Sequence, residues 1–154
     1  MAARPAVVLV HPEIPHNTGA VGRTCVALDM ELVLIRPYAF TLSDRQLKRA
    51  GLDYWQHVRL AEYAGWEAFL ADRQPREGQM FLFEEDAQRS FYEPDYPEDA
   101  ILVFGSETKG LPRAIRDRHP DCEVSLPMRS AHVRSLNLAN TVTAAAYQAL
   151  RGRF

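Results

Sequence analysis

Short apolar runs, separated by segments with helical spacing, constrain the fold of this chain more than any other feature. Each run is continuous rather than alternating, which is typical of strands buried on both faces of a parallel sheet. The runs cover residues 6–10, 32–35, 80–83, 100–104 and 124–126. The helical segments cover residues 19–30, 43–50, 66–73, 112–118 and 137–152. This alternation predicts an α/β fold in which helices flank a parallel sheet.

Length and composition predict one domain. The chain has 154 residues, of which 47% are hydrophobic and 25% charged, which is enough for one compact core but short for two. We therefore expect a single domain over residues 1–154. No apolar run approaches the roughly 20 residues that a transmembrane helix needs, and the first residues lack a signal-peptide pattern. The expectation is a soluble cytoplasmic protein with no membrane partner.

The cysteine content argues against a disulfide framework and against a zinc site. Cys25 and Cys122 are the two cysteines, they are far apart, and neither has paired Cys or His residues at metal-ligand spacing. We therefore expect no metal. Cys25 follows Val21 on one face of a helical segment, which predicts a place in the core.

Charge gives little support to nucleic-acid binding by itself, because the formal net charge is −2. Such binding would depend on local basic clusters, and solvated surface is the alternative interpretation of each cluster. Arginine, which suits bidentate phosphate contact, predominates over lysine in them. The clusters are Arg45, Lys48 and Arg49; Arg113, Arg116 and Arg118; and Arg129, Arg134, Arg151 and Arg153.

Glycine-bearing turns follow the last two apolar runs and predict a binding site built from backbone. Gly105 and Gly110 lie in the segment FGSETKGLP, where they permit close backbone approach. Ser135 and Asn137 precede the last helical segment and are suited to cap it, although ordinary turns and caps would use the same residues. Because parallel strands end at one edge of a sheet, a ligand site is expected there.

Three motifs in order resemble those of the SPOUT class of RNA methyltransferases. They are NTGAVGR at residues 17–23, FGSETKGLP at residues 104–112, and LPM with RSLNLAN at residues 126–128 and 134–140. Together with KRAGLDY at residues 48–54, they are most similar to the small tRNA 2'-O-methyltransferases of the TrmL or YibK type. The resemblance covers nearly the whole chain.

The resemblance implies a C-terminal trefoil knot, which the strand and helix pattern alone would not suggest because knotted connections are rare. It also implies S-adenosyl-L-methionine as the methyl donor. By matching of positions, the implied cofactor contacts are Phe83, Gly105, Leu126 and Ser135. Ordinary strand burial is the alternative interpretation of Phe83 and Leu126.

The remaining roles are also implied by the resemblance. Arg23, in the NTGAVGR segment that we interpret as a turn, would hold the phosphate beside the reacting ribose and stabilise charge; a general-base role is physically awkward for a group that is always protonated. Tyr147 matches a tyrosine near the methyl-transfer centre, and a core aromatic is the alternative. Four further residues would shape the substrate and cofactor loops or brace the last motif: Asn17, Glu107, Asn137 and Asn140.

The chain also departs from the family pattern. Glu84 and Glu85 stand where threonines are common, Ala139 stands where a serine is common, and the loop before Arg134 carries His132. These changes bear on the rim of the cofactor pocket and on substrate detail. The acidic, proline-containing residues 84–100 predict a mobile loop.

The implied function is methyl transfer to the ribose 2'-hydroxyl of tRNA position 34, a cytidine or modified uridine, in leucine isoacceptors. The implied partners are the tRNA anticodon loop and a second copy of the chain, because a homodimer would join basic surfaces and could share residues between sites. The alternatives are the same chemistry at another tRNA or rRNA site, and a non-catalytic RNA-binding protein with the same fold.

Overall fold

A computed structural model describes residues 3–41 and 53–154 as one six-stranded parallel sheet flanked by helices. In chain order the strands are β1 (Ala6–Val10), β2 (Glu31–Ile35), β3 (Arg59–Tyr63), β4 (Met80–Phe83), β5 (Ile101–Phe104) and β6 (Glu123–Val124). Their order across the sheet is β3-β2-β1-β5-β4-β6, and each neighbouring pair is parallel. The predicted fold class is confirmed, whereas the trefoil knot stays a prediction.

Helices cover both faces of the sheet. They are α1 (Pro15–Ala27), α2 (Trp66–Arg73), α3 (Arg113–Arg118) and α4 (Leu138–Ala149), with 3-10 turns at Asp53–His57 and Pro120–Cys122. On one face, α1 and α4 pack on the alternate strand residues Leu9, Leu34 and Phe104. On the other face, α2 and α3 pack on Val8 and Val103 and their neighbours. Strand residues are therefore buried on both sides, which explains their continuous apolar runs.

The sequence predicted five of the six strands within two residues, and β3 was missed. The side chains of residues Arg59–Tyr63 are exposed or half-buried, because this strand lies at an edge of the sheet and, among the described residues, pairs only with β2. Because the strand carries charged side chains, it does not form an apolar run in the sequence. The strand predicted at residues 124–126 is shorter in the structure, where β6 ends at Val124.

Helix boundaries differ most at α1. It begins at Pro15 rather than at residue 19, since a proline's fixed backbone angle suits a first helical turn, and it ends at Ala27. The motif NTGAVGR therefore lies inside a helix, and its interpretation as a turn is wrong. The prediction of α2 is confirmed, and α4 is shorter by three residues at its C-terminus. The helix predicted at residues 43–50 lies outside the described residues.

The segment between β4 and β5 is irregular, as predicted, but it is anchored to the core. Phe91 and Tyr96 are buried, and the Tyr96 hydroxyl donates a hydrogen bond to the Phe91 carbonyl at 2.6 Å. The Phe91 amide donates to the Ser125 carbonyl at 2.8 Å, just beyond β6. Cys25 is fully buried as predicted, and burial raises the pKa of its thiol to about 12. No helix in residues 3–41 and 53–154 is long and apolar enough to span a bilayer.

We predict that Gly22→Ala destabilises the fold although alanine favours helices. A Cβ on Gly22 of α1 would lie 2.3 Å from the ring of the buried Trp55, so the ring must move at a cost of about 1–3 kcal/mol. Unfolding in urea measures the change. In a Trp55→Leu background the clash is relieved, and the same substitution should stabilise by up to about 1 kcal/mol through helix propensity. Stabilisation in both backgrounds would show that Trp55 does not constrain position 22.

Candidate functional site

A cleft of about 320 Å³ lies at the carboxyl edge of the sheet, where β4, β5 and β6 end and α4 begins. All four residues that were matched to cofactor contacts line it. The lining residues are Ile14, Asn17, Phe83, Glu84, Glu85, Phe104, Gly105, Ser106, Glu107, Gly110, Leu126, Met128, Ser135, Leu136, Asn137, Leu138 and Thr141. Its volume is within the range of small-molecule sites, and its position is the one at which parallel α/β sheets bind ligands.

The loop after β5 forms one wall of the cleft and is closed by its own backbone. The Ser106 amide donates to the Gly110 carbonyl at 3.2 Å, and the Gly110 amide donates to the Ser106 carbonyl at 3.0 Å. A Cβ on Gly105 would lie 2.0 Å from the Gly110 carbonyl carbon, and Gly110 itself has a φ of +67°. Both glycines are thus required by the loop, as the sequence predicted.

The opposite wall is the segment that enters α4. Asn137 is the N-cap, and its side-chain oxygen accepts from the amides of Ala139 at 2.9 Å and Asn140 at 3.3 Å. Ser135 does not form this cap; it is exposed and lines the cleft two residues earlier. The capping prediction is therefore confirmed for Asn137 and wrong for Ser135.

The Glu107 carboxylate joins the β5 loop to the start of α1. It accepts hydrogen bonds from the Glu13 amide at 3.0 Å, the Ile14 amide at 2.7 Å and the Asn17 side-chain amide at 3.3 Å. Amides at a helix N-terminus have no partner within the helix and favour negative charge. Glu107 therefore places negative charge at the start of α1 and accepts from the two backbone amides just before it, where the N-cap residue Ile14 makes no side-chain cap bond.

Two further contacts complete what we call the clasp, formed by Glu13, Asn17, Glu107, Thr108 and Asn137. Glu13 accepts from the Thr108 hydroxyl at 2.6 Å and from its amide at 3.1 Å, and these bonds hold the pKa of Glu13 below its usual value. The buried Asn17 accepts from the Asn137 side chain at 3.2 Å. The clasp thus ties α1, the β5 loop and the start of α4 to each other.

Arg23 and Tyr147 lie elsewhere, outside the residues that line the cleft within the described chain. Arg23 is exposed on α1, with its guanidinium carbon 5.4 Å from the centre of the Tyr54 ring. The Tyr54 hydroxyl donates to the Gly19 carbonyl at 2.9 Å, which fixes the ring against α1. Tyr147 is 52% exposed on α4 and stacks on Phe154, so its interpretation as a core aromatic is wrong.

The structure divides the predicted basic clusters into paired and unpaired arginines. Arg116 bonds to Asp86 at 2.6 Å and to Glu123 at 2.5 Å, and Arg118 pairs with Glu67. Within residues 3–41 and 53–154, no carboxylate lies within 4.0 Å of the guanidinium groups of four others, which are Arg113, Arg129, Arg134 and Arg151. The cluster Arg45, Lys48 and Arg49 lies outside the described residues.

Other predicted site features have simpler placements. His132 and Asn140 are exposed, and the Asn140 amide takes part in the α4 cap. Among the described residues, no group of three or more His, Cys, Asp or Glu side chains is arranged to hold a metal ion. The contact between Glu13 and Thr108 was not predictable from the sequence, because the two residues are 95 positions apart.

Comparison with known proteins gives the family. The model of the SpoU rRNA Methylase family matches residues 4–147, and the chain therefore belongs to this family. The tRNA (cytidine(34)-2'-O)-methyltransferase of Burkholderia pseudomallei is 42% identical over 146 residues, which cover 94% of this chain and 93% of the relative.

Solved structures agree with this assignment. One, from work on the 2-OH methylation of C/U34 on tRNA, is 46% identical, has a TM-score of 0.87 and covers 97% of this chain and 95% of its own. The SpoU methyltransferase AviRb of Streptomyces viridochromogenes, solved with AdoMet, has a TM-score of 0.80 at 24% identity and covers 99% of this chain and 62% of its own. At that identity the likeness supports the fold alone.

We predict that Glu107→Gln lowers the free energy of unfolding by about 1–3 kcal/mol, because an amide keeps one acceptor oxygen for three donors and turns an NH2 group toward backbone amides. Urea unfolding measures this change. Glu98→Gln is the matched control, because Glu98 is exposed. Equal stability of the two variants would mean that the clasp does not hold these segments together.

Proposed function

We propose that this protein transfers a methyl group from S-adenosyl-L-methionine to the ribose 2'-hydroxyl of tRNA position 34, a cytidine or modified uridine. The observation that carries the proposal is the cleft, whose lining includes every position matched to cofactor contact, in a chain of the SpoU family. The tRNA substrate is inferred from the names of the relatives.

The cleft fits an adenosyl group. Phe83, Leu126 and Met128 provide apolar surface for a purine, while the β5 loop and the Ser135 segment present backbone groups around it. Phe83 is itself fixed by stacking on Phe104, with ring centroids 4.7 Å apart. Main-chain polar groups beside apolar walls are the usual makeup of a nucleoside site. We assign cofactor binding to Phe83, Gly105, Leu126 and Ser135.

The cofactor supplies a methyl group already activated by a sulfonium, so the protein's main task is to align the reactants. In this proposal Arg23 holds the phosphate beside the reacting nucleotide and offsets the charge that develops on the ribose oxygen. Asn17, Glu107, Asn137 and Asn140 act as supports, because the clasp and the α4 cap fix the loops around the cleft.

The proposed RNA contacts come from arginines that the fold leaves unpaired within the described residues. Arg129 and Arg134 are exposed in the loop that leads from β6 to α4 and borders the cleft. Arg151 is exposed just beyond α4. We do not assign this role to Arg116 and Arg118, because their guanidinium groups pair with carboxylates of the same chain.

The proposed homodimer would account for the positions of Arg23 and Tyr147, because neither is among the described residues that line the cleft of its own chain. The helices that carry them, α1 and α4, pack side by side, and the Thr24 and Thr143 hydroxyls are 2.8 Å apart. Tyr147 and Phe154, which is 83% exposed, present an aromatic surface beside them. We therefore propose that two copies pair through this layer, and that Tyr147 acts near the partner's methyl-transfer centre.

We assign the leucine isoacceptors as the tRNA substrates. The reaction would take place in the cytoplasm, where these tRNAs are found. The test is methylation of total RNA with labelled S-adenosyl-L-methionine, followed by nucleotide mapping. Label at the position 34 ribose of leucine tRNAs is the expected result. Label found solely on ribosomal RNA or at another tRNA site would show that the substrate assignment is wrong. Absence of label in a protein that still binds RNA would favour a non-catalytic RNA-binding protein.

We predict that Arg23→Ala retains affinity for S-adenosylhomocysteine within about twofold but lowers turnover by about 100-fold or more, the size of effect expected when a charge-stabilising donor is lost. Calorimetry and a methyl-transfer assay measure the two quantities. Arg23→Lys should recover part of the rate, because it keeps the charge but not the bidentate geometry. Arg59→Ala, on the edge strand β3, is the control. Equal loss of cofactor binding in Arg23→Ala would contradict the assignment.

We predict that Tyr147→Glu shifts the protein toward monomer, because it places a charge in the apolar patch formed by Tyr147 and Phe154. Sedimentation velocity at micromolar concentration measures the shift. Tyr92→Glu is a matched control, since Tyr92 is 61% exposed in the segment between β4 and β5. A wild-type monomer, or equal dimer content in both variants, would rule out this interface.

A further inference from the structure

Glu84 places a carboxylate in the cleft. It follows Phe83 at the end of β4 and lines the cleft beside Gly110. Its Oε1 atom accepts a hydrogen bond from the Leu111 amide at 2.5 Å. Among the described residues, no donor lies within hydrogen-bond distance of its Oε2 atom.

Glu84 is held at its backbone, and Gly110 leaves room for its carboxylate. The Glu84 amide donates to the Val124 carbonyl at 3.0 Å, which continues the pairing of β4 with β6. A Cβ on Gly110 would lie 3.0 Å from Oε1 and 3.1 Å from Oε2, so the glycine provides the space that the carboxylate occupies. The Leu111 amide and the space at Gly110 therefore fix where the carboxylate lies in the cleft.

The surroundings do not satisfy this charge fully. Burial raises the pKa of Glu84, and the Leu111 amide and the charge of Arg116 only partly offset that effect. The Arg116 guanidinium donates its side-chain hydrogen bonds to Asp86 and Glu123. A half-buried carboxylate with one oxygen lacking a donor has capacity for a hydrogen-bonding ligand.

We propose that Glu84 accepts hydrogen bonds from the vicinal hydroxyls of the cofactor ribose, and so makes recognition of the sugar a property of this cleft. The inference rests on the proposed function, because it takes an adenosyl cofactor as the ligand. Carboxylates serve this purpose in dinucleotide-binding folds, where an Asp or Glu accepts from a ribose hydroxyl.

The position of Glu84 favours the sugar over the other donors of the ligand. The ribose is bonded directly to the purine, so it must lie next to the apolar surface that holds the purine. Glu84 is the residue directly after Phe83, which belongs to that surface. The amino-acid end lies beyond the ribose and the sulfur. A diol also offers two donors at a spacing that suits one carboxylate.

The test is a double-mutant cycle in which one change is made in the protein and the other in the ligand. Calorimetry would measure the affinity of the full-length protein for S-adenosylhomocysteine and for its 2'-deoxy and 3'-deoxy analogues. In the wild type, removal of at least one hydroxyl should weaken binding about 10- to 100-fold, as expected for a hydrogen bond to a charged acceptor. In Glu84→Ala that discrimination should fall to about twofold or less, and in Glu84→Gln it should be intermediate.

Two controls separate the proposal from simpler explanations. Thermal unfolding checks that Glu84→Ala is folded, and Glu84→Gln supplies the same cycle with less change in volume. Glu98→Ala removes an exposed carboxylate that does not line the cleft and should keep the wild-type discrimination against the deoxy analogues. Methylthioadenosine lacks the amino-acid end of the ligand. Its affinity relative to that of S-adenosylhomocysteine should fall by the same factor in wild type and in Glu84→Ala.

Three results would overturn the proposal. Equal discrimination against the deoxy analogues in wild type and Glu84→Ala would mean that Glu84 only holds the Leu111 amide. If removal of the amino-acid end, as in methylthioadenosine, weakened binding more in wild type than in Glu84→Ala, the carboxylate would bind the ligand's ammonium group instead. Absence of S-adenosylhomocysteine binding by the folded wild type would instead refute the proposed function, and this inference with it.

Discussion

The structure of the site depends on one carboxylate, that of Glu107, which lies at the N-terminus of α1. Its three hydrogen bonds join a loop that follows β5 to a helix that follows β1, and these strands are neighbours in the sheet. The Asn17 to Asn137 bond extends the connection to α4. Without this charge, the Glu13 and Ile14 amides just before α1 would lose their acceptor, and the β5 loop would be tied to α1 only through the bonds between Glu13 and Thr108.

The clasp explains how a small α/β chain can bind a nucleoside without a glycine-rich dinucleotide motif. The sheet brings the ends of β4, β5 and β6 together, Gly105 and Gly110 let the β5 loop close on its own backbone, and the clasp holds that loop against two helices. What remains is a preformed cleft with apolar walls, in which hydrogen bonds to backbone amides hold the carboxylates of Glu84 and Glu107. Preformed sites avoid the cost of ordering loops when the ligand binds.

Particular residues show what the sequence could and could not predict. Buried strands such as β1 and β4 were predictable because both faces are covered, whereas β3 was not, because an exposed edge strand carries charges. Gly105 and Asn137 were predictable from local turn and cap chemistry. Contacts between distant segments were not. The pairing of Glu107 with α1, and of Glu84 with the Leu111 amide, depends on the packing of strands that sequence spacing does not reveal.

The central claim is that the cleft at the carboxyl edge of β4, β5 and β6 binds an adenosyl methyl donor. A crystal structure with S-adenosylhomocysteine tests it most directly. The purine is expected against Phe83 and Leu126, the ribose beside Glu84, and the clasp intact around both. A ligand bound elsewhere, or a cleft filled by the chain's own side chains, would contradict it.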